Sequence, residues 1–158
     1  MHTGPTQFLM SSGDKVGRAV VNSSSRGRLS ALQLATPVLI IEDEMMIAWM
    51  VQSVLEDLGF SDLVIASSGE QAKADADRAK PGLIISDINL GAGCDGVEAS
   101  SAISGGIVPV LFISAYADPD VRRRISRDLP AAQLLGKPVG ISELEAAIEV
   151  LLRPARDG

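Results

Sequence analysis

Histidine and cysteine are almost missing from this chain of 158 residues, with His2 and Cys94 the sole examples of each. One cysteine excludes an internal disulfide, and one histidine removes serine–histidine triads and ordinary zinc sites as explanations. Aromatic side chains are scarce at 3% of the residues, and two of them, Phe112 and Tyr116, flank a single serine, Ser114. Basic residues are outnumbered, giving a net charge of −6, so a broad attraction to phosphate backbones or to anionic membrane is not expected. Apolar runs such as Val38–Ile41 fall far short of the roughly 20 residues of a membrane span. The amino terminus lacks the charged-then-apolar layout of a signal peptide, so a cytoplasmic location is expected. Carboxylates, hydroxyls and lysine remain to carry any chemistry.

What is present is enough for one core. Hydrophobic residues make up 46% of the chain and charged residues 22%, which is the balance of a single folded domain. Residues 1–36 stand apart: six Ser, four Gly and a charge of +3 leave −9 for residues 37–158. A flexible basic extension is the simple reading of 1–36. Its apolar pieces, Phe8-Leu9-Met10, Val16, Ala19-Val20-Val21 and Leu29 to Leu34, allow docking on the acidic body, the last of them as a short helix. Residues 37–153 read as the domain and 154–158 as a tail.

From Pro37 onward, short β-branched runs alternate with amphipathic segments, the pattern of a parallel sheet covered by helices on both faces. The strands are expected at Val38–Glu42, Leu63–Ala66, Leu83–Asp87, Val108–Ser114 and Ala132–Leu135. Ile47, Met50, Val51, Val54, Leu55 and Leu58 recur at helical spacing, with Gly59 as the stop. Ser67–Glu70 and Ser142–Glu145 read as capping boxes, and Asp118-Pro119 as an N-cap followed by the first helical residue. The segment Gly96–Ile103 is rich in serine and is the weakest helix by propensity.

In a sheet of this kind, function gathers at the carboxyl ends of the strands. There the chain carries Glu42-Asp43-Glu44, Asp87, Ser114 and Lys137-Pro138. Glu42, Asp43 and Asp87 brought together repel one another, so keeping them ionised calls for a cation or a raised pKa. A hard divalent ion, Mg²⁺ or Mn²⁺, fits such an oxygen donor set. Lys137 and Ser114 suit the oxygens of a transferring phosphoryl group, and Asp87 is the natural carboxylate acceptor. Taken singly, each residue has a plainer reading as helix-end decoration, strand cap or solvated charge.

Together these segments resemble the receiver domain of bacterial two-component response regulators. Val38-Leu-Ile-Ile-Glu-Asp-Glu44 is similar to its first strand and acidic pair, and Leu83-Ile-Ile-Ser-Asp-Ile-Asn-Leu90 to the strand bearing the phosphorylated aspartate. Asp95-Gly96, Val110-Leu-Phe-Ile-Ser-Ala115 and Leu135-Gly-Lys-Pro138 are similar to three further motifs, in order. The resemblance implies a flavodoxin-like α/β fold with five parallel strands in the order 2-1-3-4-5. It also implies phosphorylation of Asp87 by a sensor histidine kinase or histidine phosphotransfer protein. Asp43, Asp87 and the Asn89 carbonyl would hold Mg²⁺, with Glu42 acting through water, and Ser114 and Lys137 would hold the phosphoryl oxygens. A cis Lys137-Pro138 peptide is implied too. Apart from self-catalysed transfer to Asp87 and autodephosphorylation, no enzymatic activity is expected, nor direct DNA or membrane binding. The readout would be a downstream protein target, and a homodimer is an option.

The departures are informative. Leu134 stands where the family usually has an aromatic switch residue, so Tyr116 becomes the switch candidate, and Phe112-Ile-Ser-Ala-Tyr116 partly resembles the FATGUY receivers. Gly91 replaces a common proline, and Asp87 to Asp95 is one residue longer than the usual spacing. Gly91, Gly93 and Gly96 are expected to make that loop mobile, and Cys94 within acidic surroundings to stay protonated. Met45, Met46 and Trp49 fall off the core stripe of their helix, either as ordinary exposed apolar residues or as a docking patch for a kinase or phosphotransfer helix or for the N-terminal segment. Arg122, Arg123, Arg124 and Arg127 form a basic strip, either a solvated face or an output surface for an acidic partner or a dimer mate. Two other functions fit parts of the pattern: a pseudo-receiver that only binds partners, and a haloacid-dehalogenase-like phosphatase.

Overall fold

A computed structural model of the chain describes residues 29–154. The pieces around Phe8, Val16 and Ala19 lie outside the described residues, as do 155–158. Five strands, β1 (Val38–Ile41), β2 (Leu63–Ala66), β3 (Leu83–Ser86), β4 (Val110–Ser114) and β5 (Gln133–Gly136), pair in the order β2-β1-β3-β4-β5. Every pairing is parallel. β1, β3 and β4 are buried along their whole length, which is why they read as continuous apolar runs rather than as alternation.

Two cores follow from the pleat. On one face Val38, Ile40, Leu83, Ile85, Leu111 and Ile113 meet α2 (Met45–Leu58) and α6 (Ile141–Leu151). On the other, Leu39, Ile41, Ile84, Val110 and Phe112 meet α3 (Gly69–Ala79), α4 (Gly96–Ser104) and α5 (Pro119–Asp128). Neighbouring residues on one strand thus serve opposite cores.

The strands are trimmed against expectation. Glu42 and Asp87 lie one residue past β1 and β3, β4 begins at Val110 rather than Val108, and β5 is shifted to Gln133–Gly136. The expected helix over Gly96–Ile103 runs to Ser104, because Asp95 caps its start and Gly105 in a left-handed conformation closes its end. α2 ends at Gly59 with φ 109°, as its position demands.

Both expected capping boxes differ. α3 is capped by Ser68, which accepts from Gln71 N, and Gln71 Oε1 returns to Ser67 N at 2.9 Å. Glu70 is thereby released for a loop contact. α6 starts at Ile141 after Gly140, so Ser142 and Glu145 sit inside the helix rather than at a cap.

A short helix, α1 (Ala31–Leu34), precedes β1, with Ser30 and Gln33 forming a reciprocal capping box. Leu29 and Leu34 pack on the α2/α6 core, and Gln33 Nε2 donates to the Leu152 carbonyl. Packing therefore begins before Pro37, within what composition marks as an extension, because two leucines there find an apolar surface.

Candidate functional site at the strand ends

Three backbone bonds continue the sheet past its strands and fix the residues at the rim. Glu42 N donates to Ala66 O at 3.0 Å, Asp87 N to Ile41 O at 2.8 Å and Lys137 N to Ser114 O at 2.9 Å. Since the sheet is parallel, all these side chains emerge at one end of the molecule. Carboxylate oxygens of Glu42, Asp43 and Asp87 lie within 4.8 Å of one another, Glu42 and Asp87 buried and Asp43 exposed. The Lys137 ammonium donates to Glu42 Oε2 and to Asp87 Oδ2, each at 3.0 Å. The Lys137-Pro138 peptide is cis.

Charge is crowded here, and the proton affinities show it. Burial pushes the Glu42 carboxyl up to about 7, with the Asp87 charge adding to the rise, against the Glu44 N–H and Lys137, which favour ionisation. Burial works to lower the Lys137 pKa, but its bonds to Asp87 and Glu42 outweigh this and hold it above the ordinary lysine value. The cluster offers only hard oxygen donors beside one ammonium, which is a donor set suited to a divalent cation.

Asp87 is held from several sides. Its Oδ1 accepts from Ile88 N at 2.7 Å and Asn89 N at 3.3 Å, and Ser86 Oγ donates to its carbonyl at 2.7 Å. Asn89 itself is exposed. Gly96 must be glycine: a Cβ there would sit 1.7 Å from the Asp87 carbonyl oxygen. Gly96 thus serves close packing rather than the mobility expected of it. The loop has glycines at φ 75° (Gly91) and 100° (Gly93), yet its far end is tied down. Cys94 N donates to Glu70 Oε1 at 2.8 Å, and Asp95 both caps α4 and accepts a two-pronged contact from Arg124 at 2.7 and 3.1 Å. Burial opposes ionisation of Asp95, but Arg124 and the Glu98 N–H prevail and hold its carboxyl below the usual range. Burial raises the Cys94 thiol pKa, opposed by Lys73 and reinforced by Glu98 and Glu70.

Ser114 is buried at the end of β4, and its hydroxyl donates to the Tyr116 carbonyl at 2.9 Å. Tyr116 is 69% exposed, so its phenol is not packed at the strand end. Beside it lies a cleft of about 200 Å³ lined by Ser114, Tyr116, Ala117, Arg122, Leu134 and Gly136, among others. Met46 and Trp49 are exposed at 82% and 59%, on the first turns of α2 next to the rim.

Sequence reasoning missed the tether at Asp95. Of the four arginines of α5, Arg124 is the half-buried one: it follows Val121 by three residues, and Val121 packs on the core. That three-residue spacing was the available signal. Glu70 was misread as part of a cap for the same kind of reason, one residue of phase.

The family model of the response regulator receiver domain matches residues 38–149. The phyllosphere-induced regulator PhyR of Methylorubrum extorquens is 35% identical over 129 residues, which are 80% of this chain and 47% of PhyR. The transcriptional regulatory protein PdtaR of Mycobacterium tuberculosis is 35% identical over 121 residues, 76% of this chain and 58% of PdtaR. The chain therefore spans about half the length of these relatives. Among solved structures, the receiver domain of Erythrobacter litoralis PhyR has a TM-score of 0.64 and 35% identity, covering 75% of this chain and 90% of its own. With the sheet order, the rim of carboxylates and the match over most of its length agreeing, the chain belongs to the response regulator receiver family.

Proposed function

We propose that Asp87 accepts a phosphoryl group from a phosphohistidine on a sensor kinase or phosphotransfer protein, and that the resulting acyl phosphate changes binding of a protein target. The carrying observation is the Lys137 ammonium bridging Glu42 and Asp87 at 3.0 Å each, with Asp43 in reach of both carboxylates. In the transfer, the histidine N–P bond breaks with its electron pair returning to the imidazole, and a bond forms from an Asp87 carboxylate oxygen to phosphorus. Mg²⁺ or Mn²⁺, when bound by Asp43 and Asp87 with the Asn89 carbonyl and with Glu42 through water, would neutralise developing charge on the phosphoryl oxygens.

The protein groups supply position. Ile88 N and Asn89 N fix one oxygen of Asp87, leaving the oxygen now held by Lys137 to face the donor. Lys137 then moves its hydrogen bonds from carboxylate to phosphoryl oxygen. Ser114 can donate to the phosphoryl group only by releasing the Tyr116 carbonyl, since a hydroxyl has one proton. That release frees the Tyr116 segment, and the adjoining cleft is where its ring would move, a motion Leu134 cannot make. Exposed Met46 and Trp49 give the phosphoryl donor an apolar surface beside Asp87.

The phosphatase alternative places its nucleophile on the first core strand with an acid two residues later, whereas here Asp87 follows the third strand and Asn89 stands at that offset. Trapping tests the acceptor directly. After transfer, borohydride reduction should convert Asp87 alone to homoserine, read by peptide sequencing in a mass spectrometer; labelling elsewhere, or none from a competent kinase, would overturn the assignment.

A further inference from the structure

Helix α5 is thinly anchored, with Ile125 its one buried residue. Three of its four arginines are engaged close to home. Arg122 Nε donates to Ala117 O at 3.0 Å, Arg123 pairs with Asp120, and Arg127 pairs with Asp128 at 2.6 Å. Arg124 alone of the four reaches a different element, forking both its terminal nitrogens onto Asp95. A fork of this kind fixes orientation as well as distance.

Asp95 sits at a junction. It caps α4 through Glu98 N, and the next residue, Gly96, donates its N–H to Ile88 O at 2.8 Å. The Gly96 Cα presses on the Asp87 carbonyl, so closely that no side chain fits between. Ile88 N in turn bonds the Asp87 carboxylate at 2.7 Å. From Asp87 to α5 there is thus an unbroken series of contacts, through Ile88, Gly96, Asp95 and Arg124.

We propose that the Arg124–Asp95 fork couples the chemical state of Asp87 to the position of α5. The proposal rests on Asp87 being the phosphoryl acceptor. New charge and bulk on its carboxylate disturb the Ile88 and Asn89 amides, the start of α4 is displaced through Gly96, and the fork draws α5 with it. Ile125 and half-buried Val121 fix the inner face of α5 and Leu129 its end, while the fork is, among the described residues, its one side-chain ion pair to another element, so a displaced Asp95 pulls directly on α5. Arg124 and Asp95 act as positioning residues and touch no reacting atom. Coupling of this kind is established only by perturbing both ends.

The test uses the full chain with beryllofluoride and Mg²⁺ as the phosphoryl mimic, and hydrogen exchange in peptides covering 87–96 and 119–128 as the readout. Asp95→Asn keeps a good helix cap while removing the charge, and Arg124→Met keeps the aliphatic stem while removing the fork. In the wild type both peptides respond. In either variant the 87–96 response persists and the 119–128 response falls on the order of fivefold, and the double variant falls no further than the singles. A merely structural ion pair would lower the melting temperature and leave the response of α5 intact. That result, or an α5 that is silent in the wild type while 87–96 responds, overturns the coupling. A wild type in which 87–96 fails to respond, or responds equally with Asp87→Ala, instead overturns the acceptor assignment on which it rests.

Discussion

Glu42 concentrates the conflict at the rim, since it is 3% exposed and faces both Asp87 and Lys137. Its pKa rises from 4.5 to about 7 on folding. Between those values the folded state keeps a proton that the unfolded chain has released, so the metal-free protein loses stability as pH climbs from 4.5 to 7 and levels off above. The contribution is up to about 3 kcal/mol. Glu42→Gln removes it: denaturant curves from pH 5 to 8 should show the variant gaining on the wild type, and parallel curves would refute the assignment. Asp43 is exposed, so Asp43→Ala should cost the fold little while weakening divalent ion binding. With Mg²⁺ about a hundredfold over its Kd, the wild type gains about 2.7 kcal/mol, read as a rise in melting temperature; an equal rise in Asp43→Ala contradicts the site. At this scale the sequence placed Glu42, Asp43 and Asp87 after apolar runs that form the buried strands β1 and β3, whereas Lys137, after the half-exposed β5, was legible chiefly through its Lys-Pro motif. The sequence was silent on the partner of the Ser114 hydroxyl and on the Asp95–Arg124 pair, since those depend on side-chain directions between elements distant in sequence.

Elements were read well where an end signal was unambiguous. Gly59 closes α2 and Asp118-Pro119 opens α5, as their chemistry dictates. Serines near a helix start gave one residue of error at Ser68 and a false box at Ser142, because several adjacent residues can serve as a cap and only tertiary packing selects one. α4 shows how a poor helix former is rescued. Asp95 and Gly105 define its ends, and Val97, Ala99 and buried Gly96 pack its inner face. Gly96 also carries a prediction at this scale. Gly96→Ala forces a Cβ against the Asp87 carbonyl, so either α4 or Asp87 must shift, at a cost of about 3 kcal/mol or more. Chemical denaturation measures this, and an unchanged midpoint would show that the close approach is not required.

For the whole molecule, alternation of apolar runs and amphipathic segments is enough to call for a parallel sheet with helices on both faces, and to place all strand ends on one rim. Strand order is not contained in that pattern; it came through resemblance, and the structure has β2-β1-β3-β4-β5. At the amino-terminal border composition left two readings, a flexible extension and docking of Leu29 to Leu34 as a short helix, and for this piece the second holds, since α1 joins the core through Leu29 and Leu34. Leu34 lies against the end of α2 at Gly59, so Leu34→Ala should lower stability by about 1–2 kcal/mol; a denaturation midpoint equal to the wild type would return this segment to the status of an appendage. The fold as a whole brings three carboxylates and a lysine from the ends of β1, β3 and β5 to one point, which under the proposed function is where a phosphoryl group is received. The most direct test is the intact mass of the protein after incubation with acetyl phosphate and Mg²⁺, wild type beside Asp87→Ala. A gain of one phosphoryl group in the wild type, absent from the variant, is the predicted result, and an equal gain in both would contradict the account.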